Sequence, residues 1–421
     1  MTAFTDPLAF DGPVTLALVE QADHADPLAL LRERFSLPAD VIYLDGNSLG
    51  ALPRGVAEQV QRAVVQQWGE GLIRSWNDAG WYPAPGRVGA RIAPLIGAQP
   101  DEVIVTDSTS LNLYKLVCAA LALRPQRHRV LCEQGDFPTS LYMTRSAARQ
   151  AQAEVMALNP EDVLDAIDEQ VAVVVLTHVN YRTGRRHDLP VMTRRAHDMG
   201  ALVLWDLCHS AGAMPCDLGA HGVDFAVGCG YKFLNGGPGA PAFAMVARRH
   251  QAGLSQPLTG WFSHAQPFAF EDEYQPAEGI ARLLVGTPPV LSLLALESAL
   301  QAFDEVDLQA LRRKSLSLTG LFMRLIDQEL GGMGFEVLTP READSRGSQV
   351  SIAHPLAYPI MQALIARGVI GDVREPNILR FGFAPMYIRH LDVWRAVAHL
   401  KSIVQSGVHH DPIYHQRKAV T

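Results

Sequence analysis

The stretch Asp224-Phe-Ala-Val-Gly-Cys-Gly-Tyr-Lys-Phe-Leu-Asn-Gly-Gly-Pro-Gly239 decides the fold. Its first part is an apolar, strand-like run, and its last part is too rich in glycine and proline to be helix. Between them Lys232 sits next to Tyr231 and Phe233, an unusual setting for a residue that belongs on solvated faces. A partly desolvated amine loses its proton more readily, and a neutral amine attacks carbonyls to form a Schiff base. On this stretch alone, a lysine snorkelling from a strand end explains the pattern equally well.

The neighbouring sequence favours chemistry. Upstream, Arg194-Arg-Ala-His-Asp-Met-Gly200 reads as a helix end closed by glycine, and Ala201-Leu-Val-Leu-Trp205 as a buried strand that ends on Asp206. Open α/β sheets place ligands at the carboxyl ends of their parallel strands. Asp206 precedes Lys232 by 26 positions, room for one more strand, so both side chains are predicted to share one crevice. Pyridoxal phosphate chemistry uses such a pair: the lysine holds the cofactor as an imine, and the carboxylate keeps the pyridine nitrogen protonated.

Bulk properties narrow the alternatives. The chain has 421 residues, enough for two or three domains, and 48% hydrophobic with 19% charged residues is ordinary for a globular protein. A net charge of −8 without basic runs argues against nucleic acid or an anionic membrane as the main partner. Cys118, Cys132, Cys208, Cys216 and Cys229 are odd in number and contain no Cys-x-x-Cys pair, which points to free thiols in a reducing cytoplasm and to no metal site. No Arg or Lys precedes Arg32, unlike a signal peptide, and the most apolar stretch, Leu283 to Leu296, is short and broken by Pro288-Pro289, so no membrane span is expected.

The middle of the chain alternates strand and helix, the pattern of a doubly wound, mostly parallel sheet. Val103–Thr106 reads as a strand and Leu111–Leu123 as a helix, joined by Asp107-Ser-Thr-Ser110; hydroxyls there cap the helix, and the same helix end can hold a phosphate. Val130–Cys132 is the next strand, and Pro138 opens the following helix. Phe137, at that strand's carboxyl end, can lie flat on a pyridine ring or be a core residue. Val171–Leu176 is a buried strand leading into Thr177-His-Val-Asn-Tyr-Arg-Thr-Gly184.

On either side of this core the patterns change. Residues 1–50 look like an arm ending in Asp45-Gly-Asn-Ser-Leu-Gly50, where Asn47-Ser48 is a turn by composition. A large domain is expected over 51–300 and a small α+β domain over 301–421. From Pro53 to about Trp68 the pattern is helical, and the stretch Trp68 to Trp81 that follows, with Trp76 inside it, reads as an irregular packed plug or the wall of an aromatic pocket. In the C-terminal part, strands are expected at Phe335–Leu338, Gln349–Ile352 and Ile378–Phe383, and helices near Tyr358–Arg367 and His390–Val404.

The order of phosphate turn, stacking aromatic, aspartate and lysine resembles the fold-type I pyridoxal phosphate enzymes of the aminotransferase class V superfamily. Within it, the chain resembles the kynureninase family along nearly its full length. The stretches that carry the resemblance are Gly46-Asn-Ser-Leu-Gly50, Phe137-Pro-Thr139, Val179-Asn-Tyr-Arg-Thr-Gly184, Asp206-Leu-Cys-His209, Tyr231-Lys-Phe-Leu-Asn235, Gly260-Trp-Phe-Ser-His264, Thr287-Pro-Pro289 and Ile378-Leu-Arg-Phe381.

The resemblance implies hydrolysis of L-kynurenine to anthranilate and L-alanine in tryptophan degradation. It makes Lys232 the cofactor lysine and Cα base, Asp206 the partner of the pyridine nitrogen, and Tyr231 a proton relay. Thr109, Ser110, Tyr231, Trp261 and Thr287 would hold the phosphate or line its surroundings. Phe137 would stack on the ring, with Pro138, Thr139 and Ser140 following it, and Thr177 and His209 would touch the cofactor. Trp261 and Thr287 would come from the partner subunit of a homodimer. Arg380 would bind the substrate α-carboxylate, with Trp76, Asn47 and Ser48 as further substrate contacts. One position departs from the family pattern: an aspartate is expected where this chain has Ser140. A cysteine desulfurase would share the fold, but it needs a cysteine in the C-terminal part, and the last one here is Cys229. A non-catalytic cofactor-binding protein is disfavoured by the intact Lys232, Asp206, Tyr231 and Arg380.

Overall fold

The computed structural model describes residues 12–418. Residues 1–11 of the expected arm and the last three residues therefore lie outside the described residues. The chain forms two compact units, one made of the chain up to Arg54, Tyr181–Arg186 and the chain from Ala302 onward, the other of Gly55–Asn180 and His187–Gln301.

The second unit is built on a seven-stranded sheet. Its strands are β1 (Val103–Val105), β2 (Arg129–Glu133), β3 (Glu154–Leu158), β4 (Val171–Thr177), β5 (Leu202–Asp206), β6 (Phe225–Cys229) and β7 (Ala242–Val246), in the spatial order β1-β7-β6-β5-β4-β2-β3. Strands β2 to β6 are parallel, whereas β7 runs antiparallel to both its neighbours. All seven residues of β4, Val-Ala-Val-Val-Val-Leu-Thr, are buried. A run apolar at every position, rather than at alternate ones, is what a parallel strand covered on both faces requires. Val173, Leu204, Val227 and Leu116 join one core, and each such side chain stabilises the fold by about 1.5–3 kcal/mol when fully buried.

Local chemistry sets the covering helices. Helix α1 (Thr109–Leu123) starts where Ser108 Oγ accepts the Leu111 N–H. Helix α2 (Pro138–Gln150) begins on the proline read from sequence, and α3 (Leu189–Asp198) is followed by Gly200 at φ +74°, the left-handed residue that ends a helix.

The tryptophan-rich segment is helical rather than irregular. The helix Val56–Arg62 continues as a π-helix over Ala63–Gly71, then as short turns over Leu72–Arg74 and Ser75–Asp78. Gly69 and Gly71 make the stretch read as loop, but tertiary bonds override propensity: Trp81 Nε1 donates to Gln67 Oε1 at 2.9 Å, and Ser75 Oγ donates to the Gln67 carbonyl at 2.5 Å. The strand β3 at the sheet edge was also not expected, because its residues are mostly half-exposed and its run is short.

The first unit carries an antiparallel sheet of β8 (Glu336–Val337), β9 (Gln349–Ala353), β10 (Asp372–Arg374) and β11 (Ile378–Gly382), in the order β8-β9-β11-β10. The helices Leu308–Leu330, Ala357–Ala366 and His390–Ser406 belong to the same unit. The segment Ile42–Tyr43 pairs in parallel with Val369–Ile370, so the described part of the N-terminal segment is tied to this unit by backbone hydrogen bonds.

Candidate active site

Because β1 and β2 to β6 point the same way, their carboxyl ends line one edge of the sheet. Asp206 closes β5, in register with Thr177 at the end of β4. Both are buried, and Asp206 Oδ1 accepts the Cys208 N–H at 2.7 Å, which fixes the carboxylate above the strand end. The turn then carries His209, buried, whose Nε2 lies 2.9 Å from Lys232 Nζ beyond β6. Lys232 is half-buried, as a reactive amine must be to reach a ligand, and its Nζ lies 5.9 Å from the centre of the Tyr231 ring. Burial, followed by the Cys229 and Cys208 sulfurs, holds the Tyr231 phenol well above its ordinary pKa, so it keeps its proton at neutral pH.

Two further strand ends complete this group. The β1–α1 turn brings Thr109 Oγ1 to 3.6 Å from Cys208 Sγ, which ties the start of α1 to the Asp206–His209 turn; Ser110 is half-buried beside it. After β2, Phe137 is 52% exposed. A large aromatic ring left open at a strand's carboxyl end is a platform rather than a core residue. Thr177 is buried and donates to the Val179 carbonyl at 3.2 Å. Lys232, Asp206, His209, Tyr231, Thr109 and Thr177 thus belong to one edge, as expected from their order in the chain.

Position 140 has a physical compensation that sequence reading missed. Ser140 is buried, and its hydroxyl bonds to the carboxyl of Asp136, also buried. Burial first, then the charges of Asp206 and Glu133, push Asp136 up to about 8, so this carboxyl is largely neutral at pH 7. A carboxyl is therefore present beside Ser140, from the residue preceding Phe137. The signal was there in Gly135-Asp-Phe-Pro138, but an aspartate before a helix reads as an ordinary turn residue. Thr139 is half-buried and Pro138 exposed at the helix start.

Trp76, Trp261 and Thr287 belong to the same unit. Trp76 is half-buried, edge-on to Trp81 at 5.8 Å and tilted on Phe262 at 6.2 Å, so packing and pocket-wall roles coexist in one aromatic cluster. Trp261 and Thr287 are exposed.

The substrate contacts expected in the first unit form a second cluster. Arg380, in the middle of β11, is 1% exposed rather than on a solvent face. Its Nε donates to Asp372 Oδ1 at 2.8 Å, its Nη2 pairs closely with Asp372 Oδ2, and its Nη1 donates to the Tyr181 carbonyl at 2.7 Å. Ser48 Oγ accepts from Arg380 Nη2 and donates to Asp372 Oδ2, both at 2.7 Å. Asn47 is fully buried, and its amide donates to Gln349 Oε1 at 3.2 Å. Gly46 has no room for a Cβ, which would come 2.2 Å from the Tyr387 hydroxyl, so the Asp45–Ser48 turn is packed against its own unit. Asp372 and Arg374 escaped sequence reading because their alternation on β10 looks like a solvated strand face.

Residues 311–400 match the family model described as the kynureninase C-terminal domain. Over 406 residues, the chain is 51% identical to the kynureninase of Burkholderia mallei (strain SAVP1), covering 95% of this chain and 98% of that one. It is 48% identical to the kynureninase of Pseudomonas fluorescens, with the same coverage. Among solved structures, a cysteine desulfurase from Escherichia coli is similar with a TM-score of 0.76 and 20% identity, covering 90% of this chain and 98% of that one, a likeness of fold alone.

Proposed function

Because the chain belongs to the kynureninase family, we propose that it hydrolyses L-kynurenine to anthranilate and L-alanine with pyridoxal 5′-phosphate as cofactor. The observation that carries this reading is the grouping of Lys232, His209 and Asp206 on one sheet edge, with the amine 2.9 Å from the imidazole. The residues fit the group: a reachable amine, a buried carboxylate fixed by a backbone N–H, an exposed aromatic ring and a helix start with hydroxyls stand together.

When bound, pyridoxal phosphate supplies an imine-forming aldehyde and an electron sink for cleavage of the Cα–H and Cβ–Cγ bonds. Asp206 would pair with the pyridine nitrogen and keep it protonated. Lys232 would hold the cofactor through its amine and would serve as the base for the Cα proton; base catalysis of this kind contributes typically about 10²–10⁴-fold. Tyr231, which keeps its proton at neutral pH, is the relay toward the γ-carbonyl where water adds. Thr109 and Ser110 at the start of α1 would hold the phosphate, and Phe137, with Pro138, Thr139 and Ser140 after it, would hold the ring. Thr177 and His209 would orient the ring and the amine, the latter through the contact of His209 Nε2 with Lys232 Nζ. In the first unit, Arg380 with Ser48 and Asn47 recognises the α-carboxylate. Trp76 borders the aryl group.

The exposed Trp261, Phe268 and Phe270 support a homodimer in which Trp261 and Thr287 serve the partner subunit's cofactor. No helix among the described residues is long and apolar enough to cross a membrane; an odd number of cysteines with no Cys-x-x-Cys pair supports a cytoplasmic setting. The test is incubation of holoenzyme with L-kynurenine while anthranilate fluorescence is followed. Fluorescence that rises in proportion to enzyme supports the reading, and no rise removes it.

A further inference from the structure

We propose that Asp45 is a positioning residue for substrate carboxylate: its carboxyl carries the proton of a carboxyl–carboxylate pair with Asp372, which leaves the Arg380–Arg374 cluster one positive charge to offer. This rests on the reading that Arg380 recognises the α-carboxylate, and it adds a residue and a pH dependence to it.

The geometry comes from the first unit alone. Asp45 pairs through its backbone with Gly382, two residues beyond Arg380, and its carbonyl accepts the Ser48 N–H at 2.9 Å. Its carboxyl meets those of Asp372 and the hydroxyl of Ser48, while Oδ1 is buried without a hydrogen-bond partner among the described residues. Asp372 is 2% exposed and already serves both arginines, taking Arg380 as described and Arg374 Nη2 at 2.6 Å. Two adjacent buried carboxylates resist being ionised together, so the one facing the arginines keeps its charge and the other holds its proton to higher pH. The shifts agree: against burial, which raises it, Arg380 and Arg374 hold Asp372 below its ordinary value, whereas burial and then Asp372 push Asp45 up to about 8.

The other charged and titratable groups facing the pair are Tyr43 and Tyr387, both held well above the ordinary phenol value by burial first, and Tyr181 beside Arg374. The Tyr43 and Tyr387 phenols stay neutral, so charge beside Asp372 is set by Asp45. With Asp45 neutral, two guanidinium groups face one carboxylate, and a substrate carboxylate restores balance. Arg374 Nε, buried and without a partner among the described residues, is a donor left for it. With Asp45 ionised, the cluster is already neutral and has no charge to offer.

The test uses holoenzyme and 4-(2-aminophenyl)-4-oxobutanoate, which has the aryl ketone and carboxylate of the substrate but no amine. Titration calorimetry in buffers of different ionisation heat should show proton uptake on binding at pH 8–9 and none at pH 6.5, with binding about tenfold weaker at pH 9 than at pH 7. Asp45→Asn, which mimics the neutral acid, should bind equally at both values and without uptake. Wild-type binding with no uptake at pH 8–9 overturns the proposal even if the variant fails to fold. Arg380→Lys separates the two readings: unchanged probe affinity sinks the carboxylate site itself, whereas weakened affinity with no proton uptake in wild type sinks only the role of Asp45.

Discussion

Lys232 Nζ lies 2.9 Å from His209 Nε2, an amine and an imidazole joined across the ends of two neighbouring parallel strands. The contact aims a lysine whose long stem would otherwise sample many rotamers. Replacing His209 with Ala should lower both cofactor retention and kcat, each by about tenfold or more, since a small misplacement of a reacting group is expensive in rate. Cofactor absorbance and steady-state rates read the two losses, and an unchanged holoenzyme would show that the contact positions nothing.

Asp206→Ala should keep part of its cofactor yet lose nearly all turnover, because the pyridine nitrogen no longer holds its proton. The absorbance of the purified variant reports retention. Near-native kcat would mean that another carboxylate has this role, and Asp136 would be the candidate to try next.

Arg380→Lys should raise KM for L-kynurenine by about tenfold or more with a smaller change in kcat. An ammonium cannot reproduce the planar fork, and it leaves Asp372, 2% exposed, without its bidentate partner. Loss of the paired bonds to a buried carboxylate should also make the variant melt earlier. Unchanged KM would move carboxylate recognition elsewhere.

Asp136 gives a pH-dependent prediction whose sign is fixed. Its folded pKa, about 8, lies above the ordinary carboxylate value, so the folded state holds a proton that the unfolded state has released. The contribution is fully present at acidic pH and is lost as pH rises from the ordinary carboxylate range through about 8. Asp136→Asn should therefore gain thermal stability relative to wild type as pH goes from 5 to 9. A constant difference across that range would show that Asp136 is ionised throughout.

The proposed places of Trp76 and Thr287 predict the substrate preference. A tryptophan beside the aryl ring offers apolar surface and one N–H, and burying the 3-hydroxyl of 3-hydroxy-L-kynurenine without a partner costs about 1–3 kcal/mol. L-Kynurenine should be preferred in kcat/KM by about tenfold, and Trp76→His with Thr287→Asn should shift the ratio toward the hydroxylated substrate. Equal use of both by wild type would place Trp76 in packing against Trp81 and Phe262 only.

The sheet edge was legible in sequence because local and global signals coincide there: fully apolar strands ending on Asp206 and just before Lys232, Ser108 as a cap, Pro138 at a helix start. The helical pattern from Pro53 was legible only to about Trp68, since glycines at 69 and 71 mask the end of a π-helix sustained by Gln67 and Trp81. The 23-residue helix Leu308–Leu330 was missed for a related reason: its hydrophobic positions are interleaved with Arg312, Lys314 and Ser315, all of which are buried. Nor could sequence show that Arg380 is already held by Asp372, or that Asp136 supplies a carboxyl beside Ser140. Such pairings depend on which strands meet, and their spacing along the chain has no pattern.

The most direct measurement is product stoichiometry from L-kynurenine with purified holoenzyme, alongside Lys232→Ala loaded with the same cofactor. Wild type should release anthranilate and L-alanine in a one-to-one ratio, and the variant should release neither above background. L-Kynurenine left intact by wild type while L-cysteine is desulfurated, or anthranilate formed at the same rate by Lys232→Ala, would contradict the assignment of this chemistry to Lys232.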